Sequence, residues 1–349
     1  CLDFHAYFGG LGIVVADVLS GRYVLRGGGL SMERIILDTD IGTDVDDVMA
    51  VALAAISPEL KVEGITTVYG DVDLRAKMVT KVLHMLGRED IPVMAGSRDV
   101  LLRNREIWWL GHEGEGLLTE ADRDLAYDRR HAVDFIIDTV MKNPKEITLI
   151  GIGPFTNFAI ALAREPRIAD YVKQIIIMGG SARLGCNAAE LEHSDHNVSR
   201  DPESAALLFR SGAPIVMCGY DVTRQVLVRE PHIRRLEESE SALNRAMARM
   251  VRIWLQYWKR DYTAMNDPLC VAMAFDPTFC RGPQMNVEVE YDHRHPTGHT
   301  ICSLPRTPWT PPEDLEKPAP AGKVKVCLEV DADRFMSLLM DRICQYKVT

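Results

Sequence analysis

The chain has no pair of cysteines at metal-ligand spacing. Its eight Cys are scattered from Cys1 to Cys344 and none forms a CxxC, which excludes a zinc knuckle and a dense disulfide framework. Reduced thiols in a cytoplasmic protein are the simpler expectation. The sequence also lacks an apolar run long enough to span a bilayer, so no membrane helix is expected. It lacks a basic excess: 40 Lys and Arg stand against 50 Asp and Glu, a net charge of −10. That balance argues against a nucleic-acid backbone or an anionic membrane as the main partner. No internal repeat and no second core are visible.

What is present is a chain of 349 residues, 47% of them apolar, enough for one sizeable α/β domain. Residues 1–31 begin with Cys and end in Gly27-Gly28-Gly29-Leu30-Ser31. The short apolar piece Leu11–Val15 has no basic residues before it, so a signal peptide is not expected. Met32 looks like a natural start. Residues 1–31 are therefore expected to be a non-native or disordered extension, and 32–349 the folded domain.

The rest is organised around Ile35-Ile36-Leu37-Asp38-Thr39-Asp40-Ile41-Gly42-Thr43-Asp44-Val45-Asp46-Asp47. The apolar run reads as a buried strand. Gly42 allows a tight turn. After Asp47, the spacing of Val48, Val51, Ala52 and Ala55 predicts a helix. Asp44, Asp46 and Asp47 have a capping explanation, because acids favour a helix N-terminus. Asp38 and Asp40 precede the helix, at the strand end where open α/β sheets bind ligands. A hard divalent cation would relieve the repulsion among these carboxylates.

Further along, Lys61–Tyr69, Ile91–Gly96, Ile147–Ile152, Gln174–Met178 and Pro214–Cys218 read as strands, separated by helical patterns. Such alternation predicts an open, mostly parallel sheet with helices on both faces, a Rossmann-like single domain. Asp71 either caps the helix that follows it or faces the same pocket as Asp40. Residues 97–130, with Trp108, Trp109, His112 and three glycines near them, are a loop: a mobile segment near a site or an ordinary surface. Asp201 before Pro202 is a helix start. Pro231–Tyr262 is helical, and Trp254, Tyr257 and Trp258 read as core or subunit contact rather than a substrate box. Asp267 before Pro268 is a cap or a metal ligand. Residues 303–322 are an exposed loop by composition, and Lys323–Val330 is a last strand.

Taken together these stretches resemble the nucleoside hydrolases. The resemblance rests on Asp38-Thr39-Asp40-Ile41-Gly42 with Asp46-Asp47, Thr67–Asp71, Gly151–Asn157, Met178-Gly179-Gly180, His196-Asn197 with Asp201-Pro202-Glu203, Asn266–Leu269 and Glu329–Phe335. It implies calcium-dependent hydrolysis of the N-glycosidic bond of a small-molecule ribonucleoside, by a homodimer or homotetramer. Carried over by position, Asp40, Asp47, the Ile152 carbonyl and Asp267 would ligate calcium. Asp40 would also be the general base. Asp46, Asn197 and Asp195 would bind ribose hydroxyls, and Asp71, His112 and Met178 would complete the substrate site.

The chain departs from the family pattern in four places. Its acidic loop is of the longer form, which makes Asp46-Asp47 the matching pair and leaves Asp44 outside the site. Asp71 stands for a common Asn, and Asp195 for a common Glu. Asn266 stands where inosine-uridine-type members carry a His that protonates the departing base, so activation would fall to His112, His196, or stacking on Trp258 or Tyr262. Two rival functions remain: a non-catalytic nucleoside-binding homologue, and a haloacid dehalogenase-type phosphatase with Asp38 as nucleophile.

Overall fold

The apolar run around Ile36 forms the middle of an interior strand of the main sheet. In the computed structural model, which describes residues 14–17, 22–25, 32–182, 195–292, 298–305, 311, 313 and 322–348, two units separate. Cys1–Met32 contains a hairpin of β1 (Val14–Asp17) and β2 (Arg22–Leu25). Glu33–Thr349 contains everything that follows.

Its strands begin with β3 (Glu33–Thr39), β4 (Leu60–Thr67), β5 (Val93–Ala95), β6 (Ile147–Gly151), β7 (Gln174–Met178) and β8 (Ile215–Cys218). They continue with β9 (Leu227–Arg229), β10 (Tyr262–Ala264), β11 (Cys280–Arg281), β12 (Gln284–Val289), β13 (Thr300–Ser303), β14 (Val324–Val326) and β15 (Glu329–Val330). Nine of them form one sheet in the order β13-β12-β14-β8-β7-β6-β3-β4-β5. From β14 to β5 every pair is parallel, and β12 runs antiparallel to both its neighbours.

Side chains alternate across this sheet. Ile35 and Leu37 join one apolar layer with the helices Asp46–Ile56, Val72–Leu86, Ala242–Trp258 and Asn266–Phe275. Ile36 joins the opposite layer with the helices Ala132–Lys142, Thr156–Arg164 and Pro202–Arg210. The expected α/β architecture, with helices on both faces, is therefore present. Within the second layer Gly151 lies against Phe158, and a β-carbon at 151 would meet that ring at 2.7 Å.

Two expectations need correction. The helical stretch 231–262 is two helices, Glu230–Glu237 and Ala242–Trp258, followed by β10, which pairs with β9. The last strand is two, β14 and β15, on different sheets. Much of 303–322, the exposed loop expected from composition, lies outside the described residues. No helix among the described residues is long and apolar enough to cross a membrane.

The chain steps from β3 to β4 to β5 in one direction, then resumes with β6 on the other side of β3. The carboxyl ends of β3 and β6 therefore flank the point where strand order reverses, which is where such sheets bind ligands. Replacing Phe158 by Ala, at a side chain only 1% exposed, should cost about 3–5 kcal/mol of stability, read by chemical denaturation.

Candidate active site

Asp40 is the first residue past β3, and Ile152 the first past β6. Both line a cavity of about 750 Å³. Its buried end is acidic, with Asp40, Asp46, Asp47 and Asp267 buried and Asp44 half-buried. Asp44 was expected outside the site; it lines the cavity.

Two helices bring the acids together. Asp46–Ile56 is buried on all sides and packs against Asn266–Phe275. Their N-termini lie side by side. One oxygen of Asp46 accepts from the Asn266 backbone N–H at 3.0 Å, the Asn266 amide at 2.9 Å and the Asp267 N–H at 3.3 Å. Asp267 is not the cap of its helix; Met265 holds that position without a side-chain bond. Ligand atoms of Asp46, Asp47 and Asp267 all lie within 4.8 Å of one another. The metal-ligating trio expected from sequence contained Asp40, whereas the tight trio here contains Asp46.

The electrostatics of this cluster are unfavourable without a cation. Burial raises Asp47 well above the usual carboxylate range, and repulsion from Asp40 and Asp46 adds to it. Burial likewise raises Asp267, reinforced by Asp46 and Asp47. Asp46 is pushed up to about 6 by burial, against the opposing bond from Asn266. One buried cation offsets the group. Arg75, fully buried, donates to the carbonyls of Tyr69, Asp40 and Ile41 and to the Thr43 hydroxyl. Its guanidinium lies 5.0 Å from the Trp109 ring centre. It thus holds the acidic loop by its backbone, where Gly42 turns at φ 120°.

The donors fit a hard divalent cation. They are carboxylate oxygens, with a backbone carbonyl at Ile152 beside them. Two buried polar atoms at the cavity also lack a hydrogen-bond partner among the described residues: Asn266 Oδ1 and His196 Nε2. The latter lies 3.5 Å from Asp40 Oδ2, too far for a good hydrogen bond. A ligand in the cavity would satisfy such atoms.

Other residues named from sequence divide in two. Met178 and Asn197 line the cavity. The Asn197 amide donates to the carbonyls of Ile152 at 2.8 Å and Met178 at 3.1 Å, tying the ends of β6 and β7. Asp71, His112 and Asp195 do not line it. Asp71 caps the helix Val72–Leu86 through the Leu74 N–H at 3.0 Å. His112 Nε2 lies 3.0 Å from the Thr43 carbonyl, on the outside of the acidic loop. Asp195 accepts from the N–H groups of Gly180 and Val198, which occupies both its oxygens.

Asp38 is also turned away. Its carboxylate accepts from Thr66 and from Asn157 at 2.8 Å, and burial pushes it up to about 7. A nucleophile at Asp38 would have to face the cavity, so the phosphatase alternative has no reacting group.

An aromatic wall was under-read from sequence. Trp108, Trp254, Trp258 and Tyr262 line the cavity, and Tyr220 joins them. The helical spacing of Trp254 and Trp258 carries no sign of which side they face. The antiparallel pairing of β10 with the distant β9, which brings Tyr262 round, was missed altogether. Its strands are too short to stand out by pattern.

The fold and an acid-lined pocket at the sheet's switch point define an α/β protein with a site fit to hold a cation. Residues 35–337 match the family model of the inosine-uridine preferring nucleoside hydrolases. The chain is 31% identical over 327 residues to the inosine-uridine preferring nucleoside hydrolase of Crithidia fasciculata, covering 89% of this chain and 97% of that one. It is 29% identical over 323 residues to a pyrimidine-specific ribonucleoside hydrolase of Citrobacter koseri, covering 89% and 98%. Among solved structures, a plant nucleoside hydrolase superimposes with a TM-score of 0.79 at 31% identity, covering 89% of this chain and 99% of that chain. A purine-preferring ribonucleoside hydrolase from Gardnerella vaginalis does so with 0.76 at 30%, covering 90% and 98%. The chain belongs to the inosine-uridine preferring nucleoside hydrolase family. It is accordingly a hydrolase acting on N-glycosyl compounds, and the family implies a metal ion at the acidic end of the site.

Asp38 and Asp46, at about 7 and about 6, bind protons more tightly folded than unfolded, where an aspartate titrates near about 3.9. Between those values the folded chain holds more protons, so its stability falls as pH rises. In chelator, the melting temperature should therefore drop from pH 5 to pH 8. Added divalent cation should flatten that slope, and a scan with and without the ion checks it.

Proposed function

We propose that the protein hydrolyses the N-glycosidic bond of ribonucleosides with calcium as its ion, releasing base and ribose. The observation that carries this is the convergence of Asp46, Asp47 and Asp267, ligand atoms within 4.8 Å of one another, in a cavity that Asp40 also lines. Asp47, Asp267, the Ile152 carbonyl and Asp40 or Asp46 would hold the ion. Bound there, calcium would supply Lewis-acid polarisation of water and a grip on the ribose diol.

The chain's own residues do the rest. Asp40 accepts the proton of the attacking water. The water oxygen bonds to the anomeric carbon as the C–N bond breaks, and its electron pair leaves with the base. Positive charge that develops on the sugar is stabilised by the surrounding carboxylates. Asp46 and Asn197 orient the ribose hydroxyls, and Met178 packs beneath the ring. Asp71 and Asp195 act through the helix starts they cap, and His112 through the Thr43 carbonyl.

Asn266 cannot protonate the base, and His112 lies outside the cavity. Leaving-group activation falls to His196 and to stacking on the wall of Trp108, Trp258 and Tyr262. Those rings line the same cavity, and Trp108 lies 5.1 Å from His196 and 6.5 Å from Trp258, centre to centre. A homodimeric or homotetrameric assembly and a cytoplasmic setting belong to the same proposal, supported by the resemblance.

A reducing-sugar assay over purine and pyrimidine nucleosides, with and without chelator, tests it. Ribose release that depends on calcium is expected. Tight nucleoside binding without release would instead favour the non-catalytic homologue. Asp40→Asn should lower turnover at least ~10²-fold, the scale of a general base; near-normal turnover would remove Asp40 from that role. Arg75→Met should weaken calcium binding in a calorimetric titration, because the acidic loop loses its clamp, while Arg75→Lys should recover part of it. Unchanged affinity in both would mean that the loop is held by other contacts.

A further inference from the structure

The cavity has two electrical ends. Its buried end is acidic, and its rim is basic. Arg200, Arg224, Arg229 and Arg260 all line it. This is odd in a chain of net charge −10. None of the four makes an ion pair with a carboxylate within 4.0 Å among the described residues. Elsewhere on the surface arginines do pair: Glu230, next to Arg229, is taken by Arg234 at 2.9 Å and Arg252 at 2.7 Å.

Three of the four are instead held against rings. Arg200 lies 5.2 Å from the Trp108 ring centre, Arg229 5.1 Å from that of Tyr262, and Arg260 5.6 Å from that of Trp258. Arg200 also donates to His196 Nδ1, a neutral contact, at 3.4 Å. A stacked guanidinium uses its face and keeps its in-plane N–H donors for an anion. The same rings form the aromatic wall of the cavity. Charge, donors and aromatic surface thus gather at the cavity's exposed side.

We propose that the preferred substrate carries an anionic group, a phosphate or an ionised base, beyond the ribose diol, and that these arginines receive it. This rests on the glycosidic hydrolysis proposed above. Five acids at one end make that end closed to an anion, so a charged substrate has one orientation: diol to the acids and the ion, anion to the rim. A volume of about 750 Å³ leaves room beyond sugar and base. The anion has two possible sources, a 5′-phosphate on the sugar or an acidic base.

The test is base release by the full-length protein with calcium. Inosine and uridine are compared with their 5′-monophosphates, and with xanthosine and orotidine, whose bases are anionic. At least one anionic compound should exceed its neutral counterpart in kcat/KM by about tenfold or more, with the preference shrinking as salt is raised. Which series wins identifies the source. The double variant R224Q/R229Q should reduce the anionic-to-neutral ratio by about tenfold or more, and R224K/R229K should keep most of it. Neutral nucleosides cleaved as well as every anionic counterpart would overturn the proposal. If nothing is cleaved, hydrolysis itself has failed, and calorimetry with inosine and its 5′-monophosphate decides. Tighter binding of the monophosphate supports the basic rim; equal or weaker binding overturns it.

Discussion

Like charges brought together in a dry place need a reason. Here the reason is geometric: two helices, Asp46–Ile56 and Asn266–Phe275, pack side by side with their first turns level. Each carries aspartate in that turn. Helix dipoles favour the arrangement, yet dipoles alone do not neutralise three buried carboxylates within reach of one ion. The backbone N–H groups of Asn266 and Asp267 bind one Asp46 oxygen, which welds the two helices together at the site. A metal ion would complete the balance, and folding of this region would then be coupled to its binding.

Support for the acidic loop comes from the opposite side. Arg75 rises from the helix Val72–Leu86 and reaches the carbonyls of Asp40 and Ile41. It acts as a fixed cation beneath the loop. Its burial would lower its own affinity for a proton; Asp40 and Asp47 hold the charge in place. The acidic end thus has a resident guanidinium on its backbone and carboxylates that would hold a metal ion. Beyond it the aromatic and basic wall shapes what can enter.

Much of this was legible in the residues. The strand–loop–helix unit at Asp38–Asp47, the alternation of strands and helices, and the acids at Asp40, Asp47 and Asp267 all stand in the sequence as patterns. Local chemistry produces them: apolar periodicity, a glycine turn, carboxylates at strand ends. The roles of Asp71 and Asp195 were less legible, because an aspartate before a helix has the same sequence signature whether it caps or faces a ligand. Only the burial and bonding of each carboxylate separates the two. Asp38 and Asp40, two residues apart, illustrate this well. One is consumed by Thr66 and Asn157 inside the sheet, and the other opens into the cavity.

By itself the sequence determined the class of fold, the family, and the acidic character of the site, because each of these depends on short-range pattern. Only the tertiary structure decided which carboxylates converge. It chose Asp46 for the tight trio, admitted Asp44 and set His112 outside. It also gathered Arg200, Arg224, Arg229 and Arg260 from three separate stretches onto one rim. Such groupings depend on how β3, β6 and two distant helices pack, and packing between remote segments leaves no local period for a sequence to display.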